Sequence, residues 1–191
     1  MTILSIQLLD LICIHIHENM EIITYVINGE LTHKDSLGNI ETLTRGDVQY
    51  LSAGDGIYHS EHNLHKFENL RLLQMWIVPP QKGLSRLYGS HKFLDTDRKN
   101  KLLNIVSSNK GLSPIKIYQD VNFFVSELEK EKTLDFKISE NRQIYFVQIE
   151  GNSLINEIEL NLGDAAEITN EDNLHIKALE NSHFLFIEMP I

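Results

Sequence analysis

Nine histidines stand against a single cysteine in this 191-residue chain. Two of them, His15 and His17, are separated by one residue. Successive side chains of an extended strand point to opposite faces, so both imidazoles fall on one face and can grip one ion. His59 and Glu61 repeat the spacing with one imidazole and one carboxylate. Three neutral imidazoles and a carboxylate suit a divalent first-row metal, and this donor set leaves Fe, Mn, Ni, Cu, Co and Zn open. Neither pair is specific alone: His-x-His also occurs on solvated strands, and His59-Ser60-Glu61 also reads as a polar turn. The pairs lie 44 residues apart, with several strands expected between them, which lets two strands of one barrel meet. Cys13 cannot build a disulfide framework and reads as a small buried apolar residue.

The elements that must position these side chains are short and β-favouring from about residue 14 to residue 79. Residues 21–27 are rich in β-branched and aromatic side chains and stop at Asn28-Gly29, a hairpin signal, with 31–34 as the return strand. A turn at 35–39, strands at 40–43 and 48–51 around Arg45-Gly46-Asp47, and a strand at 70–78 ending at Pro79-Pro80 complete the set. Strands of this length and spacing indicate an all-β sandwich or barrel. From residue 81 to about 114 the pattern dissolves into Gly, Ser, Lys and Asp. The first half is then replayed in outline: 144–151 echo 22–29, 160–165 echo 43–48, and 184–190 echo 73–79, with different loops. Chance likeness between strands is the competing explanation. The expected organisation is a metal-binding domain at 1–80, a linker at 81–113 and a second domain at 114–191.

Apolar residues make up 42% and charged residues 23% of the chain, ordinary for a globular protein and unlike a disordered segment or a coiled coil. The formal net charge of -10 works against direct nucleic-acid binding and against docking on an anionic membrane. No run approaches the roughly 20 apolar residues of a spanning helix. Residues 3–14 are interrupted by Asp10 and lack a basic n-region and cleavage site, so the expected location is cytoplasmic. Residues 1–112 carry 11 Lys/Arg against 12 Asp/Glu, whereas 113–191 carry 6 against 15. The acidity belongs to the second copy, where it serves solubility or a basic protein partner.

His15-Ile16-His17-Glu18-Asn19-Met20-Glu21, followed by Gly29, resembles the first cupin motif. Residues 46–54 with Gly56-Ile57-Tyr58-His59-Ser60-Glu61 resemble the second in the form found in pirins. With Thr24-Tyr25-Val26, Asp35-Ser36-Leu37-Gly38-Asn39, Ser52-Ala53-Gly54 and Gln74-Met75-Trp76-Ile77, the chain resembles the pirin family, specifically its bacterial pirin-like quercetinase branch. A weaker match continues to the C-terminus. The resemblance implies a bicupin of two β-barrels (double-stranded β-helices), the first holding metal and the second degenerate, with only isolated His175 and His183. It makes His15, His17, His59 and Glu61 the metal ligands, with Glu61 also the catalytic base, and places Fe(II) first among the metals. Glu21, a ligand in many cupins, is expected to support the ligands from behind. Tyr25, Tyr50, Met75 and Trp76 read as pocket or core; His33 and His91 receive no role, and His62 and His65 read as polar loop.

The implied activity is quercetin 2,3-dioxygenase-type ring cleavage, in which a flavonol and O2 yield carbon monoxide and a depside. The alternatives are a non-catalytic metal-binding module that contacts a protein partner, and an inactive truncated product. Two departures stand out. Residues 1–14 do not match the strands with which family members begin, so the first barrel is expected to be incomplete with exposed edges. Ile16 also replaces the usual proline between the two histidines.

Overall fold

Val, Ile, Phe and Tyr at alternating positions favour a pleated, half-buried surface, and nearly every regular element here is a strand. The computed structural model describes residues 11–191, with side chains from Ile14 onward. The reading of an unmatched opening segment rests mainly on residues 1–10, and that of a buried thiol on the Cys13 side chain; both lie outside the described residues. The chain divides into two units, Met1–Phe93 and Leu94–Ile191. Among the described residues no helix is long and apolar enough to cross a membrane.

The first unit contains β1 (Leu11–His17), β2 (Glu21–Asn28), β3 (Leu31–Asp35), β4 (Ile40–Leu43), β5 (Val48–Ser52), β6 (Ile57–His62), β7 (Arg71–Ile77) and β8 (Leu87–His91). They form two four-stranded sheets, ordered β1-β6-β3-β4 and β7-β2-β5-β8. The sheets meet through Val26 and Leu72 of one against Leu31 and Leu43 of the other. The second unit opens with the short helix α1 (Asp95–Arg98) and continues with β9 (Leu103–Ser108), β10 (Ile115–Ile117), β11 (Asn122–Leu128), β12 (Thr133–Lys137), β13 (Arg142–Glu150), β14 (Ser153–Ile155), β15 (Ile158–Leu160), β16 (Ala165–Ile168), β17 (Asn173–Ala178) and β18 (Ser182–Pro190). Its sheets are ordered β10-β9-β11-β18-β13-β16 and β12-β17-β14-β15.

The hairpin expected at Asn28-Gly29 is not one. β2 pairs with β5 and β7, whereas β3 pairs with β4 and β6, so this turn hands the chain from one sheet to the other. Gly29 adopts φ +79°, and a Cβ there would lie 2.6 Å from the Asn69 carbonyl oxygen. Glycine is therefore required by close backbone approach as well as by φ. Within 81–113, read from the sequence as a linker, β8 pairs with β5 and β9 pairs with β10 and β11. β8 is half-buried and polar in composition, whereas β9 completely buries Ile105 and Val106 but its apolar run is too short to stand out.

The internal repeat is visible in the hydrogen bonds. Thr44 N donates to Asp47 Oδ2 at 2.8 Å and Gly46 N to the Val26 carbonyl at 2.9 Å; Asn161 N donates to Asp164 Oδ2 at 2.8 Å and Gly163 N to the Gln148 carbonyl at 2.8 Å. β2 and β13 also share a register irregularity, between Val26 and Asn28 and between Gln148 and Glu150. That shared feature shifts the third echo by one residue: Leu72 opposite Val26 matches Phe184 opposite Gln148, so Gln74 corresponds to Phe186.

Candidate metal centre

Strands β1, β6 and β3 lie side by side, and their pleat decides which side chains converge. In β1 the usual burial preference is inverted: Ile14, 74% exposed, and Ile16, 45% exposed, point outward, while His15 and His17 turn inward. A register shift between Ile12 and His15 sets His15 opposite His59. On the other side of β6, His33 is opposite Glu61 and Asp35 opposite His59. Polar side chains at interior positions contradict local preference, which is the mark of a functional site.

The three imidazoles of His15, His17 and His59 close on one another. His15 Nε2 is 2.7 Å from His17 Nε2 and 3.1 Å from His59 Nε2. Burial, with repulsion from the neighbouring imidazoles, lowers the His17 pKa to about 4 and that of His59 to about 3. Both rings are thus neutral near pH 7, the state in which imidazole offers a lone pair to a metal. One ligand atom from each of the three residues lies within 4.8 Å of the others, and this donor set fits a divalent transition ion.

Glu61 sits deeper, fully buried. Gln49 Nε2 donates to its Oε1 at 2.8 Å and Gln74 Nε2 to its Oε2 at 2.8 Å. Burial raises its pKa, and the two amide donors partly offset the rise. Gln74 is itself fixed: its Nε2 also reaches Thr24 Oγ1 at 3.2 Å, and its Oε1 accepts from Trp76 Nε1 at 2.9 Å. Among the described residues the four expected ligands and His33 form two overlapping trios that share His59: His15, His17 and His59, and His33, His59 and Glu61.

His33 belongs to the centre although no role is legible for it from the sequence alone. It is completely buried, its Nε2 is 3.3 Å from Asp35 Oδ2, and its ring stacks on Tyr88 with centroids 4.6 Å apart. Gln49, Gln74 and Tyr88 were also missed. The available signal was a lone glutamine inside each of two otherwise apolar strands, 48–51 and 72–76.

Other expectations sort by strand parity. Gln74 pairs with Thr24 and faces the centre, so Tyr25 and Met75 face the other way and pack as core. Tyr50, next to Gln49, also faces away and donates to Glu21 Oε1 at 3.0 Å. Glu21 is therefore turned from the histidines rather than placed behind them. Trp76, 39% exposed, is the one of the four on the histidine side, meeting His17 edge-on at 5.0 Å. His65 Nδ1 accepts the Glu68 N–H at 2.9 Å and shapes a loop; His62 ends β6, and His91 packs on Phe93.

The Pirin family description matches residues 8–77, and the quercetinase C-terminal cupin domain matches residues 104–189. A quercetin 2,3-dioxygenase of Escherichia coli O157:H7 is 33% identical over 176 residues, covering 92% of this chain and 75% of that protein. A pirin-like protein of Caulobacter vibrioides is 35% identical over 175 residues, 91% of this chain and 75% of that one. The structure of a bacterial pirin from Escherichia coli in complex with nickel(II) superposes with a TM-score of 0.85 at 31% identity, covering 96% of this chain and 77% of the other.

Proposed function

The chain belongs to the pirin family, and on that premise we propose that it is a metal-dependent dioxygenase that cleaves a flavonol of the quercetin type with O2. His15, His17 and His59 hold the metal, Fe(II) before other divalent ions, and Glu61 completes the set. When bound, the metal supplies Lewis acidity and electron transfer toward O2.

The observation that carries this reading is Glu61: a buried carboxylate with raised pKa, clamped by two amides beside the His15, His17 and His59 imidazoles. Each carboxylate oxygen has two lone pairs and gives one to an amide, which leaves capacity on both for a proton or a metal. Glu61 is the base that takes the proton from the flavonol 3-hydroxyl, and its raised pKa strengthens it for that step. The Gln49 and Gln74 amides fix its direction without neutralising it. Trp76, with its edge toward His17, offers the aromatic wall on which a planar substrate rests.

Iron-loaded protein is expected to bleach quercetin absorbance with matching O2 uptake, and His59→Ala to abolish both. If iron-loaded protein leaves quercetin and related flavonols intact, the dioxygenase reading is overturned, and capture of a stable protein partner by that same protein puts a metal-bearing interaction module in its place.

A further inference from the structure

The division of the polar residues into two trios sharing His59 has a chemical meaning. The geometry points to a second, inner cation position formed by His33, His59 and Glu61, distinct from the outer position of His15, His17 and His59. It shares His59 and Glu61 with the proposed catalytic set, but its existence does not depend on flavonol chemistry.

Three observations support the inner position. One ligand atom from each of His33, His59 and Glu61 lies within 4.8 Å of the other two, and all three residues are buried. His33 Nδ1 and His59 Nδ1 are both buried without a hydrogen-bond partner, and the two rings are 5.5 Å apart. The tautomer of His33 is set by its neighbour. Asp35 accepts from Leu37 N, Asn39 N and Asn39 Nδ2, so it is an ionised acceptor, and His33 must give it the Nε2–H. The lone pair of His33 then falls on Nδ1, the buried nitrogen without a hydrogen-bond partner, in the carboxylate–histidine arrangement that prepares an imidazole for a metal.

His59 chooses between the positions. A neutral imidazole has one N–H and one lone pair. With the lone pair on Nε2, His59 serves the outer position beside His15 and His17. With the proton on Nε2, donated to His15 Nε2 at 3.1 Å, the lone pair falls on its unpartnered Nδ1 and is left for the inner position. One cation therefore occupies one position at a time. Two imidazoles and a carboxylate suit Co(II), Zn(II), Fe(II) or Ni(II).

Co(II) titration of the demetallated full chain, followed by visible absorption and elemental analysis, tests this. A His15→Ala/His17→Ala variant is expected to bind one equivalent of Co(II), and adding His33→Ala to weaken that binding by about 10- to 100-fold or more. His15→Asn/His17→Asn, with and without His33→Ala, replaces these variants if the alanine pair does not fold by circular dichroism. Failure of the folded double variant to bind Co(II) at millimolar concentration overturns the inner position, as does binding that persists unchanged after His33→Ala. Neither result bears on quercetin turnover, which is read on the wild-type chain.

Discussion

The two barrels share a backbone plan and have opposite interiors. Register pairs carry each residue of the metal centre onto a position in the second unit. His15 opposite His59 becomes Phe136 opposite Leu174, and His33 opposite Glu61 becomes Ile155 opposite Ile176. Thr24, flanked by Gln49 and Gln74, becomes Phe146 flanked by Ala166 and Phe186. His17, one pleat repeat beyond His15, becomes Ile138. In the second unit all of these either belong to one hydrophobic cluster or pack against it, with Phe124, Phe136 and Phe186 rings about 5 Å apart.

The difference teaches that the fold needs only something of suitable volume in the barrel interior. Apolar residues fill it at a gain of roughly 25 cal/mol per Å² buried. A polar interior survives only when its groups are partnered, because each buried unsatisfied group costs about 1–3 kcal/mol. Glu61 is satisfied by Gln49 and Gln74, whereas the Nδ1 atoms of His33 and His59 are not. The first barrel gives up stability at the two positions a bound cation would relieve.

Exchanging interior residues should break this contrast most strongly at Ile176, the counterpart of Glu61. Ile176→Glu places a charge among Phe and Leu side chains with no amide donors, so a loss of about 3–5 kcal/mol is expected in urea unfolding. Leu174→Ala, at the counterpart of His59, should cost about 2–5 kcal/mol by the same measurement and leave metal content unchanged. His59→Ala, which removes the ligand both trios share, should do the reverse: metal content by elemental analysis falls to background, with a smaller change in melting temperature than Leu174→Ala.

Gln74→Leu sharpens the comparison by moving one residue toward its apolar counterpart. With one donor to Glu61 removed, the carboxyl pKa rises further, and the acidic limb of the flavonol pH–rate profile should shift to higher pH. A fall in kcat of about 10- to 100-fold accompanies it, as for other supporting partners of a metal centre.

Acidification should also separate the units. His17 and His59 titrate near 6.5 when unfolded and at about 4 and about 3 when folded. The unfolded chain therefore binds more protons below pH 6.5, and stability of the metal-free first unit declines from there toward pH 4. Hydrogen exchange on the full chain should show protection of β1 and β6 falling over this window while that of β13 and β18 holds. Equal loss in both units would refute the assignment of the effect to the buried histidines.

Much of this organisation was legible as pattern. The i, i+2 spacing of His15 and His17 and of His59 and Glu61 placed each pair on one strand face, and the echoes of 22–29 and 43–48 marked the repeat. Other features lay beyond local pattern. Asn28-Gly29 carries the same local signal whether the chain returns to its neighbour or crosses to the facing sheet, and only the pairing of β2 with β5 and β7 and of β3 with β4 and β6 decides the crossing. β8 was hidden because its stability comes from pairing with β5 rather than from its own composition. Glu21 and Glu61 are chemically alike, and strand parity alone turns one toward Tyr50 and the other toward the histidines.

By itself, then, the sequence determined the all-β class, the duplication and the residue types able to hold a metal, because these follow from periodicity and donor chemistry along the chain. Only the tertiary structure decided that His33 joins the centre and that Gln49 and Gln74 hold Glu61. It also decided that His59 stands between two trios. Those facts depend on which strands become neighbours across a sheet and between sheets, and cross-strand register is a property of the folded chain that no local spacing encodes.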